Sequence, residues 1–248
     1  ESTSTLVLNL KWTIDEVEPD GTAKITQTIE RVRVDMENGS QRLSYDSKAD
    51  DPAKADGSND SVETLRKFYS IATTEPYSLT INTRGEVLEA QVPPKLADLI
   101  REYQFQPLAD TGGVLSSEGI KKIFVQFFPK LPEKPAEPGS TWTGTLEVPA
   151  GALSLTLTTK YTLESEESGS AKITGAVDTT IKPRPGIPTS LEIKSQTSSA
   201  EYAFDTGSHC LDHSSVSQTI QVEAKQGDQS AQTTLNLSIS AKRVLEEK

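Results

Sequence analysis

Phe204-Asp205-Thr206-Gly207-Ser208 is the stretch of this chain whose residue types come nearest to catalysis. It has the form of the active-site signature of aspartic peptidases, and Asp110-Thr111-Gly112 supplies a second copy of its core. Such an enzyme needs two carboxylates about 3 Å apart sharing one proton, because like charges that close cannot both ionise. The two loops must then be symmetry-related. The surrounding sequence does not supply that symmetry: Asp205 follows a strand-like run, whereas Asp110 follows a helix-like run, a proline and a loop. The apolar segment that backs each catalytic loop in such enzymes is not evident either. The competing reading is a hairpin turn, with Asp bonding nearby backbone and Gly tolerating positive φ. The expectation is a protein that is not an enzyme, with an aspartic-type peptidase using Asp110 and Asp205 as the outlying alternative.

Metal ligands are the next chemistry to weigh. His209-Cys210-Leu211-Asp212-His213 holds both histidines and the single cysteine. Imidazole, thiolate and carboxylate suit zinc or copper. On a strand, however, His209 and His213 would stand about 13 Å apart, too far to share an ion. Only a tight turn would gather them, and Cys210 reads equally as a surface thiol. Asp46, Asp50, Asp51, Asp56, Asn59, Asp60 and Glu63 form an oxygen-rich stretch. Calcium takes about six to eight oxygens, but this spacing is not that of an EF-hand loop. Carboxylates at a helix start also serve the helix dipole. The metal candidates are thus His209, Cys210, Asp212 and His213, with Asp56, Asp60 and Glu63 second. No cofactor is expected: Gly-rich phosphate loops, dinucleotide fingerprints and nucleophile elbows do not occur.

The elements that must carry these residues show an internal echo. Lys11-Trp12-Thr13-Ile14 returns as Lys160-Tyr161-Thr162-Leu163, and Gly21-Thr22-Ala23-Lys24-Ile25-Thr26 as Gly169-Ser170-Ala171-Lys172-Ile173-Thr174. Leu6, Leu8, Leu10, Trp12 and Ile14 alternate with polar or outward residues, which is the period of a half-buried strand. The return strand slips its alternation near Glu30, predicting a bulge. Asp60 with Glu63 has capping-box spacing ahead of Val62, Leu65, Phe68 and Tyr69. Pro93 and Pro94 open a second helix with Leu96, Leu99, Ile100 and Tyr103 on one side. Ser116 or Ser117 caps a third, carrying Ile120, Ile123, Phe124 and Phe127. Pro129, Pro132, Pro135 and Pro138 recur every third residue, as polyproline II would place them on one edge. Beyond them the chain reads as strands over 142–148, 153–164, 171–181, 191–195, 200–205, 214–224 and 233–244.

The predicted fold is therefore mainly β, a β-rich α+β arrangement. It has two related halves of curved antiparallel sheet, the first with about three helices. The domains are 1–128, a Pro-rich linker over 129–140, and an all-β half over 141–248. At 248 residues either half can bury a core. The net charge of −11 repels nucleic acid and anionic membrane surfaces. Mean hydropathy is −0.46, and no window reaches the roughly 18 apolar residues of a membrane helix. A lone cysteine allows no internal disulfide. The first residue is Glu1 rather than Met, which is compatible with a removed leader.

The order of the pieces resembles a family of exported bacterial proteins of unknown function, common in planctomycete-type genomes and often lipoprotein-like. The residues that carry it are Trp12, Asp20-Gly21-Thr22-Ala23, Thr28-Ile29-Glu30-Arg31-Val32-Arg33-Val34, Tyr45-Asp46-Ser47 and Arg84-Gly85-Glu86-Val87. Ser117-Glu118-Gly119, Gly139-Ser140-Thr141-Trp142 and Phe204-Asp205 follow in the same order. Thr206-Gly207-Ser208-His209-Cys210 departs from that family's pattern. The resemblance implies a β-rich fold and an exported location, in the periplasm or cell envelope, either soluble or lipid-anchored. It implies no reaction and no ligand. The expected role is a non-enzymatic envelope protein that binds a lipid, another apolar ligand or another envelope protein, or else a structural component of the envelope. No nucleic-acid partner and no transmembrane segment are expected.

Overall fold

The computed structural model describes residues 2–49, 53–55, 59–102, 128–150, 153–183, 190–226 and 229–244. They fall into two compact units, 2–83 with 87–102 and 84–86 with 128–244.

In the first unit the alternating opening run forms β1 (Ser2–Val17) and β2 (Ala23–Asn38). β3 (Gln41–Asp46), β4 (Ala53–Ala55), α1 (Asn59–Ala72), β5 (Tyr77–Ile81), β6 (Val87–Gln91) and α2 (Pro94–Glu102) follow. β1 pairs with β2 along its length, while β3 and β5 share the opposite edge of β2. The pairing passes from Asn9↔Arg31 to Leu10↔Ile29, which leaves Glu30 as the extra residue of a bulge. The slip read from the sequence is therefore real. Leu6, Leu8, Leu10, Trp12 and Ile14 lie opposite Val34, Val32, Ile29, Gln27 and Ile25. The β2 members are buried, and α1 adds buried Phe68, Tyr69 and Ala72. Tyr69 stacks on Tyr45 with ring centroids 5.0 Å apart. α2 starts where its prolines require: the Pro93 carbonyl accepts from the amides of Leu96 and Ala97, placing Pro94 where a missing N–H costs nothing. Leu96 and Leu99 are its buried residues. Two helices, not about three, occur among the described residues. The third, expected after Ser116 or Ser117, lies outside them, as do the side chains of Val62 and Leu65.

The second unit is a six-stranded antiparallel meander: β7 (Thr141–Ala150), β8 (Leu153–Glu167), β9 (Ser170–Pro183), β10 (Ser190–Asp205), β11 (Cys210–Gln226) and β12 (Gln229–Lys242). One correction concerns β10. The runs 191–195 and 200–205 are a single strand, and the polar residues between them are part of it. β9 and β10 pair only from Ser170↔Asp205 to Gly175↔Ala200. Past that point side chains of β10 take over. Ser198 Oγ accepts from the Val177 amide at 2.7 Å, and Gln196 Oε1 accepts from the Thr179 amide at 2.8 Å. Tyr161, Leu163, Ile173, Ala200, Tyr202 and Val216 form the core beside this seam. The Pro-rich segment packs on the same unit. Pro129 is buried, the Lys130 carbonyl accepts from Trp142 Nε1 at 2.6 Å, and Leu131 and Ala136 pack against the core.

The echo in sequence is an echo in structure. β1–β2 skips a residue at Asp15, and β8–β9 skips one at the equivalent Glu164. The carboxylate of each accepts from a threonine of the partner strand, Thr26 at 2.7 Å and Thr174 at 2.6 Å. Gly21 and Gly169 both have positive φ, 86° and 82°. The turns differ by one residue. Pro19-Asp20-Gly21 closes through the Gly21 amide on the Glu18 carbonyl, whereas Ser168-Gly169 makes a two-residue turn with both φ positive. The second copy is not the opening hairpin of its sheet, because β7 precedes it.

Gly175 sits between Tyr161 and Ala200, and a Cβ there would meet Ala200 Cβ and Thr159 Cγ2 at 3.1 Å. Gly175→Leu should destabilise the protein by about 1–3 kcal/mol through overpacking. Urea unfolding measures this; a variant as stable as the parent would mean that the face is not packed this way.

Candidate functional site

Asp205 ends β10, and its side chain turns back onto the loop that follows. Oδ1 accepts from the amides of Gly207 and Ser208 at 2.9 and 3.0 Å. Oδ2 accepts from Arg243 Nη2 at 2.8 Å. Arg243 also donates from Nη1 to Ser208 Oγ at 2.7 Å, and its amide bonds the Asp212 carbonyl at 2.8 Å. The Arg243 guanidinium, followed by the loop amides, holds the Asp205 carboxyl well below the usual carboxylate range. Such a carboxylate is ionised and engaged at both oxygens, which suits a turn. Asp110 lies outside the described residues. Sequence reasoning missed Arg243 because it sits 38 positions from Asp205.

His209 lies in the turn with φ 55°. Cys210 begins β11 opposite Asp205, and its thiol reaches the Ser208 carbonyl at 3.3 Å. His213 Nδ1 meets its neighbour Asp212 at 3.4 Å. Asp212 is itself the extra residue of a bulge, since pairing passes from Phe204↔Leu211 to Ala203↔His213. Among the described residues, no three His, Cys, Asp or Glu side chains come together to hold a metal ion. Of the acidic stretch, Asp56 lies outside the described residues, as do the side chains of Asp60 and Glu63 on α1. Asp46 is bound by Arg31 through two bonds of 2.9 and 2.6 Å and accepts from the Lys48 amide. These partners, Arg31 first, bring its carboxyl down to about 2.

Among the described residues, two concavities stand out. One, of about 460 Å³, opens beside the Glu30 bulge between Asn9, Thr28, Arg31, Lys48 and Thr73. Its lining is polar and charged: Asn9, Thr28 and Thr73 stand with Glu30, Lys48 and Arg31, the last paired with Asp46. The other, of about 70 Å³, lies on the inner face of the second sheet. Leu146 from β7, Leu157 from β8, Val177 from β9 and Leu237 and Ile239 from β12 line it, with Tyr161, Tyr202 and Gln218. Gln218 is buried and donates to Thr179 Oγ1 at 2.6 Å, tying β11 to β9. Burial pushes the Tyr161 and Tyr202 phenols upward, so both stay protonated at neutral pH. The hollow thus presents aliphatic carbon and neutral phenol, the chemistry of contact with an apolar group. Alternation placed Leu157 and Val177 on their faces. The part played by β12 was hidden by its polar composition.

Fold and sites together define a mainly β protein of two antiparallel sheets with few helices. Residues 20–208 match the family described as "Family of unknown function (DUF6263)", and the chain belongs to that family. No curated protein and no solved structure matches it. Among the described residues, no helix is long and apolar enough to cross a membrane.

The carboxyls of Asp46 and Asp205 are depressed in the folded state. Their stabilisation is complete above the unfolded carboxyl range, near pH 4, and falls away as acid titrates the folded groups, through about 2 for Asp46. A D46N/D205N variant should therefore lose stability less steeply than the parent between about pH 4 and about pH 2. Urea midpoints across that range test it; parallel profiles would mean that neither ion pair forms in solution.

Proposed function

We propose that this protein is a non-enzymatic, exported protein of the cell envelope, periplasmic or lipid-anchored, that binds an apolar group on the inner face of its second sheet. The observation that carries the reading is the hollow between Leu146, Leu157, Val177, Leu237 and Ile239, with Leu235 and Leu237 of β12 50% and 44% exposed beside it. Large exposed aliphatic side chains bordering an apolar recess mark a place where a ligand or partner removes them from water. Size narrows the occupant. A hollow of about 70 Å³ lies far below the roughly 300–1,000 Å³ of pockets that enclose a drug-sized molecule. It suits the end of an acyl chain or an aliphatic side chain, with the rest of the ligand lying over the β12 leucines. The charge of −11 disfavours anionic head groups at close range, which leaves neutral or cationic amphiphiles and apolar protein segments as the matching class.

The test has two parts. Native mass spectrometry of protein purified gently from its own cells, before and after solvent extraction, should show a bound apolar species. Cell fractionation in the same preparation should recover the chain outside the cytoplasm. In vitro, the neutral apolar fluorophore N-phenyl-1-naphthylamine should bind saturably. Leu237→Glu should weaken it about tenfold or more by charging the lip, with little loss of stability because the side chain is already half-exposed. An empty protein with no saturable probe binding would sink the reading.

A further inference from the structure

Among the described residues, the sheet of the second unit ends in β7 on one side and β12 on the other, and the two edges are built differently. β7 carries Glu147 and Pro149, and its Trp142 is bonded to the Pro-rich segment at Lys130. Charge and proline are the usual protection of an edge against pairing with another chain. β12 has neither. From Gln229 to Ala241 it contains no charged residue, no proline and no glycine, in a chain that is 25% charged. Its ladder with β11 runs from His213↔Lys242 to Gln226↔Gln229 without a register shift, so no bulge turns the edge away. Residues 230–238 are exposed on both faces. In an antiparallel edge strand, alternate residues turn their N–H and C=O away from the neighbour.

We propose that β12 is a pairing edge, and that its occupant is β12 of a second copy of this chain, antiparallel across a two-fold axis through Asn236. The strand is self-complementary in that register. Leu235 falls opposite Leu237, Thr233 opposite Ile239 and Thr234 opposite Ser238, so aliphatic residues meet on the inner face and small polar residues on the outer. An axis perpendicular to the sheet keeps like faces together, which is what a closed, isologous dimer requires. Electrostatics favours this edge over others. Two copies each carrying −11 repel across most approaches, and β12 is where they can meet without opposing like charges. The other long edge strand, β1, bears Lys11, Asp15 and Glu16.

The inference does not rest on the binding reading above, and the two fail separately. Asn236 is on the face away from the hollow, so changing it should disturb pairing and leave probe binding intact. Sedimentation velocity of the full chain should show a dimer by about 100 µM, within reach of a modest interface. Asn236→Lys sets two ammonium groups opposite each other and should weaken the dimer about tenfold or more. In a C210S background, Asn236→Cys should crosslink to itself under mild oxidation, whereas Ser230→Cys, which lies opposite Lys242, should not. Unchanged circular dichroism guards against a misfolded variant. A chain that stays monomeric, or a dimer that ignores N236K and does not crosslink at 236, overturns the proposal. The first of these outcomes would turn attention to a foreign extended segment as the strand β12 accepts.

Discussion

The parting of β9 from β10 beyond Gly175 is what the second unit is organised around. Splitting a ladder strands backbone donors, and a buried amide without a partner costs on the order of 1–3 kcal/mol. The amides of Val177 and Thr179 escape that cost because Ser198 and Gln196 reach across to them. The strands can therefore diverge without leaving orphans. Where the ladder ends, Tyr161 opposite Gly175 and Tyr202 opposite Ile173 meet edge to face, ring centroids 6.0 Å apart. Gln218 of β11 bonds Thr179 of β9, two strands away, in a buried setting. The hollow lies beside them, with Val177 of the parted stretch of β9 and Gln218 of β11 in its lining.

The repeated hairpin shows how one local solution serves two settings. Both copies place an acidic residue at the bulge, Asp15 or Glu164, and bond it to a threonine, so the extra residue is fixed by its own side chain. What faces the aromatic residue then differs. Trp12 lies opposite Gln27 and donates to it at 2.8 Å. Tyr161 lies opposite Gly175, whose missing side chain admits Ala200 and Thr159 close by. The first arrangement spends its contact on a polar pair and keeps Trp12 37% exposed; the second leaves Tyr161 3% exposed. β8 also has β7 paired on its other edge, whereas β1 pairs only with β2, so the shared backbone feature serves an interior strand in one unit and an edge strand in the other.

Legibility in the sequence follows the range of the forces involved. Features fixed by neighbours along the chain are readable: β1 as a strand, the slip at Glu30, the proline-led start of α2, the related turns; the covered face that the alternation of β1 predicts is not found, since Leu6, Leu10, Trp12 and Ile14 are exposed. Features fixed by distant partners are not readable. The polar run inside β10 looked like a break because period-two reasoning expects apolar residues inside a strand, yet Gln196 and Ser198 are polar in order to bond β9. The segment 129–138 reads as a spacer because the backbone geometry of its prolines is local, whereas the packing of its Leu131 and Ala136 against the core is not. Gln218 carries no sign in the sequence that it is buried. The sequence places the strand at 214–224, whereas β11 begins at Cys210, because pairing with β10 extends it through a bulge at Asp212.

The Asp-Thr-Gly at the end of β10 makes the same point about chemistry. The three residues promise a catalytic carboxylate only if the carboxylate is left to share a proton. Whether it is left so depends on what else reaches it, and here Arg243 does, from the residue that follows β12. The guanidinium also holds Ser208 and approaches Asp212 to 3.9 Å, so one side chain ties the loop, the bulge and the end of the last strand together. Function read from such a motif is a statement about the environment of an oxygen. At Asp205 two amides and an arginine make it an anchor for the turn.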